Sequence, residues 1–353
     1  MAYTTIDNPE LFFQTKTYTG TGSSHAITLD GSENMQPDWV WTKARNYNDD
    51  HLLVDVVRGN TKYLKAHLNN DEQTSSIRVT SFNSDGFTLG SSSDINGNTD
   101  TYVAWNWKAG TSFSNDASST GVGTIDSTGS INTTAGFSII SYTGTGSNGT
   151  VAHGLGEVPH WILFKSRSDA YSWVSYQKPS GNNSVLALNI SDAHDSGVGS
   201  SYFNSTDPTS SVFSLGTAAN MNGSSKTFIA YCFAEKQGYS KFGKYTGNGN
   251  ADGTFIYTGF RPAWLMMKRT DSAGEWLIYD NKRDPFNLRD TRLEAQDNFA
   301  DSTGTTKVFD FLSNGFKCKG SDTDINASGG TYVYYAFAES PFVNSNSIPN
   351  NAV

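Results

Sequence analysis

Three times along the chain the pattern Pro-x-Trp-x-x-x-Lys appears, at Pro37/Trp39/Lys43, Pro159/Trp161/Lys165 and Pro262/Trp264/Lys268. Each copy follows a Tyr-Thr-Gly-x-Gly turn, beginning at Tyr18, Tyr142 and Tyr245. Each is followed by an Asn six residues ahead of an aromatic strand: Asn96 before Tyr102, Asn222 before Phe228, Asn326 before Tyr332. A motif set that returns in the same order marks a unit of roughly a hundred residues written three times. A 353-residue chain is too long for one ordinary core, which agrees with three units.

The units divide the chain into an N-terminal arm (1–11), a first repeat (12–108), a spacer (109–135), a second repeat (136–236), a third repeat (237–342) and a C-terminal tail (343–353). Within each repeat the apolar period is two. Gly136-Phe-Ser-Ile-Ile-Ser-Tyr142 reads as a strand running into a turn, and Trp161-Ile-Leu-Phe-Lys165 as a central strand apolar on both faces. The closing runs at Tyr102–Trp107, Phe228–Phe233 and Tyr332–Phe337 read the same way. Short strands separated by Gly and Asn turns predict an all-β chain of three tandem antiparallel β-sandwiches. One helical turn is expected within Leu288–Ala300. The spacer is rich in Ser, Thr and Gly and reads as flexible, so repeats two and three are expected to pack together and repeat one to orient more freely.

Composition removes several function classes. The net charge is −9 and no basic run exceeds two residues, so nucleic acid is not an expected partner. No apolar stretch approaches the ~20 residues of a bilayer span, and Met1–Leu11 carries no secretory signal pattern. The two cysteines, Cys232 and Cys318, sit at non-equivalent positions and read as buried free thiols.

Candidate sites are few. Tryptophans shared by all copies are most simply core, and so are Trp173 and Trp276, where repeat one has His51. The motif lysines read as solvated strand ends, with binding of acidic glycans as the functional alternative. Asp55-x-x-Arg58 and Asp280-x-x-Arg283 read as exposed local ion pairs of little weight; repeat two has Gln177 and Ser180 there. The run Asp94-Ile-Asn96-Gly-Asn98-Thr-Asp100 spaces oxygens as calcium loops do but lacks their Gly and bidentate Glu, so the shared Asn96, Asn222 and Asn326 are read as turn formers and no metal is expected. No paired carboxylates of glycosidase type, no nucleophile elbow and no phosphate loop are present, so neither catalysis nor a cofactor is expected. The best candidate ligand surface lies in repeat two, around Tyr171, Trp173, Tyr176 and His194.

The opening Ala2-Tyr-Thr-Thr-Ile-Asp-Asn-Pro9, the run Trp39-Val-Trp-Thr-Lys43, Tyr102-Val-Ala-Trp-Asn-Trp107, Ala230-Tyr-Cys-Phe-Ala-Glu235 and the closing Ala336-Phe-Ala-Glu-Ser-Pro341 together resemble a family of structural proteins from marine tailed phages. That resemblance implies jelly-roll or concanavalin-like sandwiches in a tail fibre or other virion surface protein, and supplies no catalytic or ligand residues. It implies a virion protein assembled in the host cytoplasm and released by lysis. Its partners would be other virion proteins, further copies of itself (a trimer is expected) and a host surface glycan. The alternatives are a decoration protein of the head or tail without a receptor role and, less favoured, a polysaccharide-degrading enzyme.

Overall fold

The structure is a computed structural model that describes residues 2–349; Met1 of the predicted arm and residues 350–353 of the predicted tail lie outside the described residues. The chain is all-β and antiparallel. Three large sheets carry the three motif strands, Trp39–Ala44, Trp161–Ser166 and Phe260–Arg269. In each sheet the motif strand lies beside the aromatic closing strand, with Trp39 opposite Trp107, Trp161 opposite Phe233 and Trp264 opposite Phe337. A smaller sheet backs each large one: strands 25–28, 86–89 and 79–83 in the first segment, 149–152 and 212–215 in the second, and 255–257, 315–318 and 309–312 in the third.

The period of two splits each motif strand between two cores, because successive side chains leave opposite faces of a sheet. Val40 and Ala44 face outward and join Ile27, Phe87 and Leu89 of the smaller sheet. Trp39 and Trp41 face inward, into a cluster that also holds Trp161, Trp173, Trp264, Trp276, Tyr231 and Tyr335. The three large sheets therefore share one inner core. At its centre the rings of Trp107, Phe233 and Phe337 form a triangle with centroid separations of 6.5, 5.6 and 5.7 Å.

The contacts around that triangle run in a closed circle. Trp39 stacks on Tyr231 at 4.4 Å, Trp161 packs on Tyr335 at 4.5 Å, and Trp264 meets Trp105 at 6.4 Å. Backbone bonds close the same circle: Glu72 N to Arg167 O at 2.9 Å, His194 N to Thr270 O at 3.0 Å, and Asp301 N to Arg45 O at 2.8 Å. The Trp173 Nε1 donates to Lys65 O (2.9 Å) and Trp276 Nε1 to Ala187 O (3.0 Å), while His51 places its ring beside the backbone of Glu294. The expected loose orientation of the first segment is thus corrected: it shares the inner core with the other two.

The spacer is corrected as well. Residues Thr111–Asn115 and Ser127–Asn132 are strands that extend the second large sheet from its edge strand Phe137–Thr143, with a four-residue helix, Ala117–Thr120, between them. Ile125 is buried and Phe113 and Ile131 pack on the second outer core, so a few apolar residues anchor an otherwise polar ribbon. No helix forms in 288–300; residues Leu293–Glu294 pair as a short strand. The arm is held too, since Ile6 reaches the inner core and Thr4 Oγ1 donates to Gln237 O at 2.7 Å. Asp7 Oδ1 accepts from Ser345 N at 2.7 Å, which brings the two ends of the described chain together.

Candidate functional site

The repeated spacing of the shared asparagines has a structural cause. Asn96 Oδ1 accepts from Thr21 N (2.9 Å) while its Nδ2 donates to Ser23 O and Gly90 O (2.6 Å each). Asn222 makes the same bonds to Thr145 N, Ser147 O and Gly216 O, and Asn326 to Asn248 N, Asn250 O and Gly320 O. All three are fully buried and pin the Thr-Gly turn to a four-residue helix. A Cβ at Gly20, Gly144 or Gly247 would lie 2.1, 2.4 or 2.3 Å from a backbone oxygen of that helix end, which explains the glycine. Around the calcium-like run, Asp94 is paired to Arg78 at 2.5 Å and Asp100 accepts from Asn46.

The motif lysines are not solvated. Lys43, Lys165 and Lys268 are fully buried at the rim of the inner core. Each Nζ donates to the carbonyl of the next residue, at 2.7, 3.1 and 2.6 Å, and Lys165 also to Asn69 O at 3.2 Å. Burial pushes each ammonium down to about 8. Ammonium groups buried away from solvent and turned onto backbone carbonyls are not a patch for acidic glycans.

Of the four residues expected to form a ligand surface, only two meet at one cavity. Tyr176 points to the outer core, packing edge-on against Phe203 at 5.3 Å and donating to Asp207 at 3.1 Å, and it is fully buried. His194 sits at the junction with the third segment, its Nε2 3.3 Å from Gln177 Oε1. Trp173 and Tyr171 line a cavity of about 400 Å³ in the second segment. Trp173 is fully buried and forms part of its floor rather than an exposed platform, while Tyr171 is 39% exposed at the rim.

Sequence reasoning missed other residues of this cavity, among them Ile190, Asp192, Asp195, Tyr202 and Asn220. Asn220 Nδ2 donates to Tyr202 Oη at 3.1 Å, and its Oδ1 is buried without a partner. Two tyrosine rings and two carboxylates make a wall of apolar faces and hydrogen-bond acceptors. Such lining suits a ligand with C–H faces and several hydroxyl donors. Most of these residues come from the stretch 187–203, which carries no repeated motif, so only its lack of a counterpart in the other segments could have singled it out. The helix Gly199–Phe203 that places Tyr202 belongs to this stretch.

The chain belongs to the family described as a domain of unknown function, DUF7483, whose model matches residues 8–341. That match spans all three motif copies as one unit. No curated protein matches the chain.

Proposed function

We propose that the chain is a virion surface protein of a tailed phage that contacts the host cell by binding a surface saccharide. The observation that carries the binding role is the cavity beside Tyr171, with its ring faces and its two carboxylates. The virion setting rests on the motifs that resemble marine phage structural proteins. The protein acts by recognition, with the ring of large sheets as a rigid mount for loops at its rim.

The test is adsorption. Purified protein, added in excess, should compete with particles for host cells, and a Tyr171→Ala/Asn220→Ala variant should compete at least tenfold less well, the loss of about 1.4 kcal/mol expected for removing one stacking face and the amide that holds the Tyr202 hydroxyl. Equal competition by variant and parent protein would reject the site. A second reading, a decoration protein of head or tail, is favoured by one observation: arm, spacer and tail are all fastened to the ring, which makes a self-contained block. Under that reading neither protein competes with the particles.

A further inference from the structure

The three junctions between segments are built alike but filled differently. At the first–second junction, Arg167 grips Glu72 with two bonds, 2.8 and 3.1 Å, and extends Nη1 to Ser141 Oγ at 3.2 Å. Arg58 approaches the same Glu72 at 3.6 Å. At the first–third junction Arg45 and Arg283 both hold Asp301, at 2.8 and 3.0 Å. Two guanidinium groups around one acid therefore plug each of these junctions.

The second–third junction lacks all three groups. The backbone bond from His194 N to Thr270 O shows which residues stand there: His194 for the acid, and Thr270 for Arg45 and Arg167. Ser180 stands for Arg58 and Arg283, three residues after the Gln177 that pairs with Trp161 as Asp55 pairs with Trp39 and Asp280 with Trp264. Where the arginines would lie there is a cavity of about 530 Å³. That volume falls within the ~300–1,000 Å³ of small-molecule sites.

We infer that this cavity is a second binding site, for a monosaccharide-sized polyhydroxylated carboxylate such as a uronic acid residue. Its wall carries the hydroxyls of Ser184 and Thr246, which can both donate and accept, and those of Thr270 and Thr331, which bond each other at 2.7 Å and keep lone pairs to accept. Lys244 is its one permanently charged lining side chain, and none of the lining residues is acidic. Lys244 takes the place of Ser141, each one residue before its turn tyrosine, so a cation stands where the neighbouring junction has the hydroxyl that Arg167 reaches. A ligand carboxylate at Lys244 would meet the one unanswered charge, and its ring hydroxyls the Ser/Thr wall. Burial and the nearby Lys268 push His194 down to about 4, so at neutral pH it contributes a neutral ring. The site is separate from the Tyr171 cavity and stands or falls without it.

The other two junctions supply the test. Calorimetric titration of the whole protein with glucuronate and galacturonate, and with glucose and galactose as neutral controls, should give saturable binding of a uronate and at least tenfold weaker binding of its neutral parent. Lys244→Gln should erase that difference. Thr270→Arg and, separately, Ser180→Arg should abolish binding while the melting temperature is retained, because each restores a side chain the other junctions accommodate. Tyr171→Ala should leave this titration unchanged. Uronate binding by Thr270→Arg and Ser180→Arg equal to that of the parent protein would overturn the site. So would equal affinity for uronate and neutral sugar, or no saturation by any of the four up to ~50 mM, a threshold weaker than −2 kcal/mol.

Discussion

At the scale of single residues the lysines are the instructive case. A Lys at a strand end ordinarily keeps its ammonium in water, and nothing in the pattern Trp-x-x-x-Lys says otherwise. What buries Lys43, Lys165 and Lys268 is the neighbouring segment, which a single copy of the motif does not contain. Their folded pKa of about 8 lies below the ordinary lysine value near 10.4, so the folded state disfavours the charged form. The sign follows: each lysine destabilises the fold at pH 7, and that cost fades as pH rises from about 8 toward 10.4. Buried tyrosines such as Tyr231 and Tyr335 oppose this above about pH 10, where the unfolded chain ionises them and the folded chain does not. The buried thiols of Cys232 and Cys318, also raised by burial, oppose it from about pH 8.5, so melting temperature should rise between about pH 7.5 and 8.5. Lys165→Met should melt higher than the parent at pH 7 and show a flatter profile over that window, because an apolar chain of similar length fills the same space without the charge. A thermal melt series in matched ionic strength reads both effects, and a lower melting temperature for Lys165→Met at pH 7 would contradict them.

At the scale of elements the Asp-x-x-Arg corner decides how the sheets join. Asp55 and Arg58 are fully buried, 2.5 Å apart, and share Tyr231 of the second segment: Arg58 Nη2 donates to its hydroxyl at 3.2 Å, and that hydroxyl donates to Asp55 at 2.7 Å. Asp280 and Arg283 repeat the corner, with Trp105 Nε1 donating to Asp280 at 3.0 Å. The sequence reading placed these pairs on the surface, where they would matter little; burial inverts that judgement. The second segment shows that the corner is replaceable as a unit. There Gln177 folds back onto Ser175 O at 2.8 Å, and the buried Tyr335 hydroxyl keeps no hydrogen-bond partner, with Ser175 and Gln177 its polar neighbours. Removing one partner strands a buried charge, so Arg58→Ser should cost about 3–5 kcal/mol in urea denaturation. The double change Asp55→Gln/Arg58→Ser copies the natural Gln177 and Ser180 and should cost less than Arg58→Ser alone. A double variant weaker than the single would show that the pair is held by something other than its mutual charge.

At the scale of the whole molecule, the strands and the core tryptophans were legible because three copies averaged away the accidents of each. Antiparallel all-β structure followed from the period of two and the Gly and Asn turns, and burial of the motif tryptophans from their recurrence. The closed circle of contacts was not legible: the partner of Trp39 is Tyr231, nearly two hundred residues away, and periodicity carries no information about such a pairing. The spacer misled because Ser, Thr and Gly dominate it, although Ile125, Ile131 and Phe113 suffice to dock two edge strands on a sheet already formed. The grouping of Tyr171, Trp173, Tyr176 and His194 was not legible, since alternation along Trp173–Gln177 sends Trp173 and Tyr176 to opposite faces and only Trp173 joins Tyr171 at one cavity.

The three segments share one core, so the whole chain should unfold as a single cooperative unit. Differential scanning calorimetry of the whole chain, with and without Trp161→Ala, tests it most directly. Trp161 packs on Phe233 of its own segment and Tyr335 of the next, so its truncation should cost about 3–5 kcal/mol. The shared core predicts one transition whose calorimetric and van't Hoff enthalpies agree, displaced as a whole to lower temperature in Trp161→Ala. Separate transitions, of which the substitution moves only the one belonging to the second segment, would contradict it.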